Sequence, residues 1–160
     1  MKLVKLSLSA LGLFACTAYA DDCVKAIENM DKKTVVSACQ KILDANPQDA
    51  TTQYRTGVAY DLTGDYKKAI EYYIKSAEQG NDKAQYNLGT LYYNGEGTTR
   101  DYAKALEYYT KSAEQGNPEA QFNLAVMYRY GEGVSKDKAT AKVWFGKACD
   151  SGIKEACSRR

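Results

Sequence analysis

Residues 66–101 read YKKAIEYYIKSAEQGNDKAQYNLGTLYYNGEGTTRD, and residues 102–137 read YAKALEYYTKSAEQGNPEAQFNLAVMYRYGEGVSKD. The two stretches are similar copies of one 36-residue unit, and a third, partial copy begins at residue 138 as KATAKVWFGKACDSGIKEAC. A period of this length is typical of a solenoid, in which each unit stacks on the next. The repeat therefore predicts a linear array of similar units.

Each unit is predicted to contain two helices, because residues that start and stop helices recur at the same interval. An aspartate precedes each of three apolar-periodic runs, where its carboxylate can cap backbone N–H groups. These N-cap aspartates are Asp65, Asp101 and Asp137. A glycine, which adopts the left-handed conformation at low cost, follows each run. These glycines are Gly80, Gly116 and Gly152, and the next caps are Asn81 and Asn117, with Pro118 in the first turn.

Stripes of small and large residues at four-residue steps predict the buried helix faces. On one helix of each unit the stripe is Ala69, Tyr73 and Ala77, repeated as Ala105, Tyr109 and Ala113. On the other helix it is Ala84, Leu88 and Tyr92, repeated as Ala120, Leu124 and Tyr128. Gly89 and Ala125 interrupt the second stripe and predict a close approach of two helices. The Gly-Glu-Gly segments at 95–97 and 131–133 are predicted turns, because they lack the Gly-Lys-Ser/Thr of a phosphate loop.

The pattern A-x-x-x-L-G-x-x-Y-x-x-G-x-G, followed by D-Y-x-K-A-x-x-Y-Y-x-K-S-A-E-Q-G-N, resembles the Sel-1-like repeat, a relative of the tetratricopeptide repeat. The resemblance covers roughly residues 50–157 and implies an all-α fold, a right-handed α-solenoid of antiparallel helix pairs. Upstream, Tyr54, Gly57, Ala59 and Tyr60 resemble a tetratricopeptide unit whose turn, at residues 62–64, is four residues shorter. We expect about nine helices.

The first twenty residues are typical of an export signal. Lys2 and Lys5 precede a short apolar run at residues 6–14, and Ala18-Tyr19-Ala20 is a small-x-small cleavage site. The alternatives are a lipoprotein signal, in which Cys16 is lipidated, and a buried N-terminal helix. The expected organisation is a signal peptide at 1–20, an N-terminal helical hairpin cap at 21–46 and the repeat array at 47–160, in a periplasmic or secreted protein.

Four cysteines remain after residue 20: Cys23, Cys39, Cys149 and Cys157. In an oxidising compartment they predict two disulfides, with three possible pairings, and four unpaired thiols are the alternative. Symmetry about two predicted turns favours Cys23 with Cys39 and Cys149 with Cys157. Secreted cysteine-rich proteins that resemble this repeat class place two cysteines eight residues apart across two helices. Earlier units replace that pair by Ala77 and Gln85, and by Ala113 and Gln121.

Composition argues against several classes of function. Histidine is absent, which removes Ser-His and Cys-His catalytic arrangements and the usual zinc sites. Beyond residue 20 the basic and acidic residues balance, so nucleic-acid binding is not expected. Some cysteine-rich relatives are described as penicillin-binding proteins or β-lactamases, and two Ser-x-x-Lys matches occur at 135–138 and 151–154. Because Ser-Asp-Asn and Lys-Thr-Gly are missing, we predict no catalytic residues. We predict no metal site, since histidine is absent and the cysteines form no CxxC pair, and no cofactor.

The favoured class is a binding module for a peptide or protein partner. The alternatives are a penicillin-binding or β-lactamase-like activity, as in the cysteine-rich relatives, and a structural spacer in an envelope assembly. In stacks that resemble tetratricopeptide arrays, the helix carrying A-x-x-x-L-G lines the concave surface, which binds partners. Aromatic rings with a polar edge suit such a surface. The predicted groove residues are Tyr54, Val58, Asp61, Tyr86, Thr90, Tyr93, Asn94, Phe122, Val126, Arg129 and Tyr130. No membrane span is expected.

Overall fold

A computed structural model describes residues 22–160, and the regular structure of that range is entirely helical. Residues 22–28 form α1. The helices that follow are α2 (Val35–Ala45), α3 (Ala50–Thr63), α4 (Tyr66–Glu78), α5 (Asp82–Asn94), α6 (Tyr102–Glu114), α7 (Pro118–Tyr130), α8 (Lys138–Asp150) and α9 (Lys154–Cys157). The predicted all-α solenoid is confirmed, with nine helices in the described range. The predicted signal peptide and the alternative lipid site at Cys16 lie outside that range.

The predicted helix boundaries are confirmed by their capping contacts. The Asp101 carboxylate accepts the Lys104 backbone N–H at 3.0 Å, and the Asn117 side chain accepts that of Ala120 at 2.9 Å. The closing glycines all have positive φ, between 88° at Gly80 and 105° at Gly152. Each apolar run therefore ends in a left-handed turn that reverses the chain towards the next helix.

Helices pack against their neighbours along the chain, and one contact recurs in every unit. A buried ring on the second helix lies against a small residue on the first: Tyr73 against Gly57, Tyr109 against Gly89, and Phe145 in the cluster with Ala125. A Cβ atom added to Gly89 would lie 2.6 Å from Cδ1 of Tyr109. The close approach predicted at Gly89 is thus confirmed.

The predicted core stripes are buried, with one departure. Tyr92 is buried as predicted, whereas the equivalent Tyr128 is only partly buried. Tyr128 lies at the edge of both the main cluster and the C-terminal cluster around Phe145, so its ring covers the junction between two cores. Its position in the stripe is correct, but its burial is incomplete.

Both favoured disulfides are present, Cys23–Cys39 between α1 and α2 and Cys149–Cys157 between α8 and α9. The α1–α2 turn contains Met30 at φ 51°, and Asp31 accepts the Lys33 N–H and the Thr34 hydroxyl. The buried cysteines of this hairpin belong to a small core that includes Ala59 of α3. The hairpin therefore packs onto the first face of the array.

The Cys149–Cys157 disulfide occupies a joint that earlier units close without a covalent bond. Gln85 donates its side-chain N–H to the carbonyl oxygen of Ala77 at 3.2 Å, and Gln121 donates to Ala113 at the same distance. These are the positions at which the last unit has cysteine. The disulfide thus replaces a hydrogen bond that ties the end of one helix to the start of the next.

Candidate partner-binding groove

The predicted groove begins with one aromatic row on alternate helices. Tyr54 on α3, Tyr86 on α5 and Phe122 on α7 occupy equivalent positions, and each ring is partly buried. Each packs against the buried ring of the following helix, with centroids 6.0 Å apart for Tyr54–Tyr73, 5.9 Å for Tyr86–Tyr109 and 5.5 Å for Phe122–Phe145. The row therefore rests on the core and leaves part of each ring accessible.

Hydrogen bonds between units fix the tyrosine hydroxyls beneath the row. The Tyr73 hydroxyl donates to Asp61 Oδ2 at 3.1 Å and accepts from Asn87 Nδ2 at 2.9 Å. The Tyr109 hydroxyl lies 3.1 Å from Thr90 Oγ1 and is also hydrogen-bonded to Asn123. Sequence reasoning missed these asparagines, although their 36-residue spacing was a usable signal. They tie each unit to the one before it.

Burial raises the pKa of three groups beneath the row. Desolvation raises the pKa of Tyr109 to about 12, with hydrogen bonds from Thr90 and Asn123 opposing the shift. Desolvation likewise raises the pKa of Tyr73 far above its ordinary value. The pKa of Asp61 is raised, chiefly by desolvation and despite the Tyr73 hydrogen bond that lowers it. Both tyrosine hydroxyls therefore keep their protons to a higher pH than an exposed tyrosine does, and they serve as hydrogen-bonding groups.

Two open cavities lie between α5 and α7. One, of about 280 Å³, is lined by Thr90, Tyr93, Asn94, Tyr109, Phe122, Asn123 and Val126. The other, of about 250 Å³, is lined by Tyr86, Glu119, Phe122, Asn123, Ile153 and Glu155. Phe122 and Asn123 line both cavities. The structure thus brings six predicted residues together: Tyr86, Thr90, Tyr93, Asn94, Phe122 and Val126.

The other predicted groove residues lie outside these two cavities. Tyr54, Val58 and Asp61 are partly buried on α3, at the N-terminal side. Arg129 lines a separate cavity with Phe145. Tyr130 is 61% exposed at the end of α7 and lines none of the cavities described above. The groove proper is therefore shorter than the predicted set.

A second aromatic row lies elsewhere on the array and was not predicted as a surface feature. Tyr60 stacks on Tyr72 with centroids 5.5 Å apart, and Tyr92 stacks on Tyr108 at 5.8 Å. Lysine ammonium groups flank these rings at 5.0–5.3 Å: Lys68, Lys75, Lys104 and Lys111. The Tyr-Tyr doublets at 72–73 and 108–109 could have predicted this second row, because neighbouring residues of a helix point about 100° apart. One ring enters the core and the other stacks outside it.

The Ser-x-x-Lys matches occupy turns. Ser135 is exposed in the loop before α8, and the Ser151 hydroxyl donates to Gln121 Oε1 at 3.3 Å in the turn before α9. Within residues 22–160, no helix combines the length and hydrophobicity that a membrane crossing requires.

The geometry above defines a class of protein, a helical repeat with an aromatic groove, and comparison identifies its family. The Sel1 repeat model matches residues 51–81, 82–117 and 118–153. The chain therefore belongs to the Sel1 repeat family. The short first unit, which we expected to be tetratricopeptide-like, is matched by this same model despite its shorter turn.

Solved structures agree with this assignment, and one short match to a curated protein is also found. The chain is similar to c5321, a protective antigen of uropathogenic Escherichia coli with an SLR fold (32% identity, TM-score 0.72, 80% of this chain and 28% of that chain). It is similar to Helicobacter pylori cysteine rich protein B (26%, 0.61, 86% and 93%). It is 50% identical over 38 residues to DAP3-binding cell death enhancer 1 of Rattus norvegicus. That match spans 24% of this chain and only 8% of the relative.

Proposed function

We propose that this protein is an exported interaction module that binds an extended peptide or protein segment in the groove between α5 and α7. Helical repeats of this kind generally mediate protein–protein interactions. The observation that supports a groove is the row of half-buried rings on alternate helices, which adjoins two open cavities. Phe122, shared by both cavities, is the predicted central contact.

The polar groups around the rings suit a peptide backbone. Asn94 is exposed at the end of α5, and Thr90 and Asn123 line the same cavity as Phe122. Side chains of an extended segment enter the apolar parts of such a groove, and amide and hydroxyl groups bind its main chain. Rings that are already packed lose little side-chain entropy on binding, which favours affinity. The groove is therefore suited to a segment with alternating apolar side chains.

The test is the double substitution Tyr86→Ala with Phe122→Ala. Truncating a buried interface ring typically costs about 2 kcal/mol or more of binding free energy. We expect the double variant to lose most recovery of a partner that co-purifies with the wild-type protein, at unchanged helicity by circular dichroism. Quantitative mass spectrometry of matched purifications measures the loss.

The matched control is Tyr72→Ala with Tyr108→Ala, which removes two partly buried rings from the second aromatic row. This control should retain partner recovery. If both double variants recover the partner equally well, the groove between α5 and α7 is not the binding surface. If only the control loses it, the partner binds the second row.

We propose further that the protein acts in the periplasm or outside the cell, after cleavage at Ala20. Two disulfides support an oxidising compartment. Intact-mass measurement of the exported protein should give a chain starting at Asp21. A diacylglyceryl mass on Cys16 would instead make it a lipoprotein.

A further inference from the structure

A third cavity, of about 240 Å³, lies at the C-terminal end of the groove. Its lining residues are Arg129 of α7, Lys138, Ala141, Lys142 and Phe145 of α8, and Arg159. We call it the basic pocket. Four of these six side chains are cationic, and none is acidic. The buried ring of Phe145, 1% exposed, forms its apolar wall.

The four cations have no carboxylate partner among the described residues. Within residues 22–160 the ion pairs join Lys68 to Asp65, Lys111 to Glu107 and Arg160 to Asp150. Asp137, next to Lys138, caps α8: its carboxylate accepts the backbone N–H groups of Ala139 and Thr140 and the Thr140 hydroxyl. Glu132, three residues after Arg129, accepts the Tyr93 hydroxyl. Four like charges around one cavity repel each other, and a bound anion would relieve that repulsion.

The pocket arises from replacements that are specific to the last unit. Arg159 occupies the position at which earlier units have Asn87 and Asn123, and Phe145 replaces the tyrosine whose hydroxyl those asparagines contact. With no hydroxyl to bind, the Arg159 guanidinium lies over two rings instead, 5.2 Å from the Phe122 centroid and 5.7 Å from that of Phe145. A cation is therefore placed directly above the last ring of the groove.

Charge also changes along the array, from the N-terminal side of the groove to the basic pocket beyond it. One equivalent position reads Asp61 on α3, Tyr93 on α5 and Arg129 on α7. Asp61 lies at the N-terminal side, where nearby Glu96 raises the pKa of its carboxyl further. Glu119 and Glu155 line the groove cavity beside Phe122. The C-terminal end is the basic pocket. A segment bound along the groove is thus favoured when its acidic part lies at the α7–α8 end.

We propose that the basic pocket binds the carboxylates of an acidic peptide segment, which fixes the direction of the partner in the groove. The proposal rests on the groove function above. Guanidinium groups bind carboxylates with two parallel hydrogen bonds, and lysines add further charge. Phe122 lies below Arg159 and also lines a groove cavity. An apolar side chain of the partner can therefore contact Phe122 next to the partner's acidic residues.

The probe is a short synthetic peptide with one aromatic residue followed by glutamates, labelled with rhodamine, and its counterpart with glutamine in place of glutamate. Binding is measured by fluorescence anisotropy at low and physiological salt. We expect the wild-type protein to bind the glutamate peptide about tenfold or more tightly than the glutamine peptide, an advantage that falls as salt screens the charges. In Arg129→Gln with Lys142→Gln this preference should disappear.

The matched control is Lys32→Gln with Lys33→Gln, which removes two exposed lysines from the α1–α2 turn at the opposite end. It should bind like the wild-type protein. Equal binding of both peptides, no binding of either, or an unchanged preference in Arg129→Gln with Lys142→Gln would each overturn the proposal. Displacement of the peptide by inorganic phosphate at the peptide's own concentration would also overturn it, in favour of a small-anion site.

Tyr86→Ala separates this proposal from the groove, because Tyr86 lines a groove cavity but not the basic pocket. Phe122 is unsuitable for this purpose, since Arg159 lies over it. If Tyr86→Ala weakens both peptides while the glutamate preference persists, both proposals stand. If the glutamate preference exists but Tyr86→Ala binds normally, the groove proposal fails and the pocket remains. If the wild-type protein binds both peptides equally well and Tyr86→Ala weakens both, only the pocket proposal fails.

Discussion

At the scale of residues, the units of this array differ by matched replacements. Where the last unit changes tyrosine to Phe145, the asparagine that would contact the missing hydroxyl becomes Arg159. Leaving a buried polar group without a partner costs about 1–3 kcal/mol, whereas changing both members together avoids that cost. The same logic joins Cys149 and Cys157, which together replace an alanine–glutamine contact. Side chains at these joints are therefore best understood in pairs.

One residue-scale prediction concerns the small residue opposite each buried ring. Gly89→Ala places a Cβ atom 2.6 Å from the Tyr109 ring, so α5 and α6 must separate or the ring must shift. We expect a loss of about 1–3 kcal/mol of unfolding free energy from overpacking. Urea unfolding followed by circular dichroism measures it.

Gly146→Ala is the control for that substitution. Gly146 lies within α8, and a Cβ atom there meets nothing within 4 Å. Alanine should stabilise this helix by about 0.5–1 kcal/mol through helix propensity alone. Opposite signs for the two variants are the expected result. If Gly89→Ala also stabilises the protein, the Tyr109 ring can shift away from the added Cβ atom at little energetic cost.

Residue patterns predicted the core better than they predicted the groove. The stripe of Ala84, Leu88 and Tyr92 follows from four-residue spacing, which depends on one helix alone. The contact between Asn87 and Tyr73 depends on how consecutive units stack, and no spacing within a helix encodes it. Likewise, Tyr130 has the groove spacing but is exposed, whereas its equivalent Asn94 lines a groove cavity.

At the scale of elements, the short helix α9 corresponds to the start of α5 and of α7, the first helices of the two preceding units. Its Ala156 aligns with Ala84 and Ala120, and like them it is buried. A four-residue helix has little stability of its own, since helix nucleation is unfavourable. The Cys149–Cys157 disulfide and the packing of Ala156 therefore keep α9, and with it Arg159, against α8. The repeat period predicted this alignment, whereas the ring contacts of Arg159 required the structure.

The element-scale prediction removes that disulfide in two ways. Cys149→Ser with Cys157→Ser should cost about 2–3 kcal/mol, as expected for a short closed loop, and should expose the amides of α9 to hydrogen exchange. Cys149→Ala with Cys157→Gln restores the residues of the earlier units. It should recover about 1 kcal/mol through a glutamine–carbonyl hydrogen bond.

Native hydrogen exchange read by mass spectrometry distinguishes these variants in α9, with α5 as the internal reference. Exchange in α5 should change little, because that helix packs mainly on α4 and α6. The prediction is contradicted if the alanine–glutamine variant protects α9 no better than the double serine variant. In that case the joint of the earlier units depends on neighbouring helices and not on the glutamine contact.

At the scale of the whole molecule, the helices form a linear sequence of contacts with separate local cores. The N-terminal cluster contains Ile42, the main cluster contains Leu124, and the C-terminal cluster surrounds Phe145. Repetition predicted this architecture, since a unit that cannot bury its own face must stack on another. It did not predict how charge is distributed along the groove, which depends on the few positions where the units differ.

A linear array should lose stability locally, and the single tryptophan makes this measurable. Trp144 lies on α8, so its fluorescence reports the C-terminal units, whereas circular dichroism reports all helices. Leu124→Ala and Ile42→Ala each remove a buried aliphatic side chain and should each cost about 2–5 kcal/mol. In a nearest-neighbour array that cost is confined mainly to adjacent units.

We therefore expect Leu124→Ala to lower the urea midpoint of Trp144 fluorescence below that of circular dichroism. In Ile42→Ala the fluorescence midpoint should stay at the wild-type value while helicity is lost earlier. Equal shifts of both signals in both variants would mean that the array unfolds as one cooperative unit, and that the clusters do not act as separate cores.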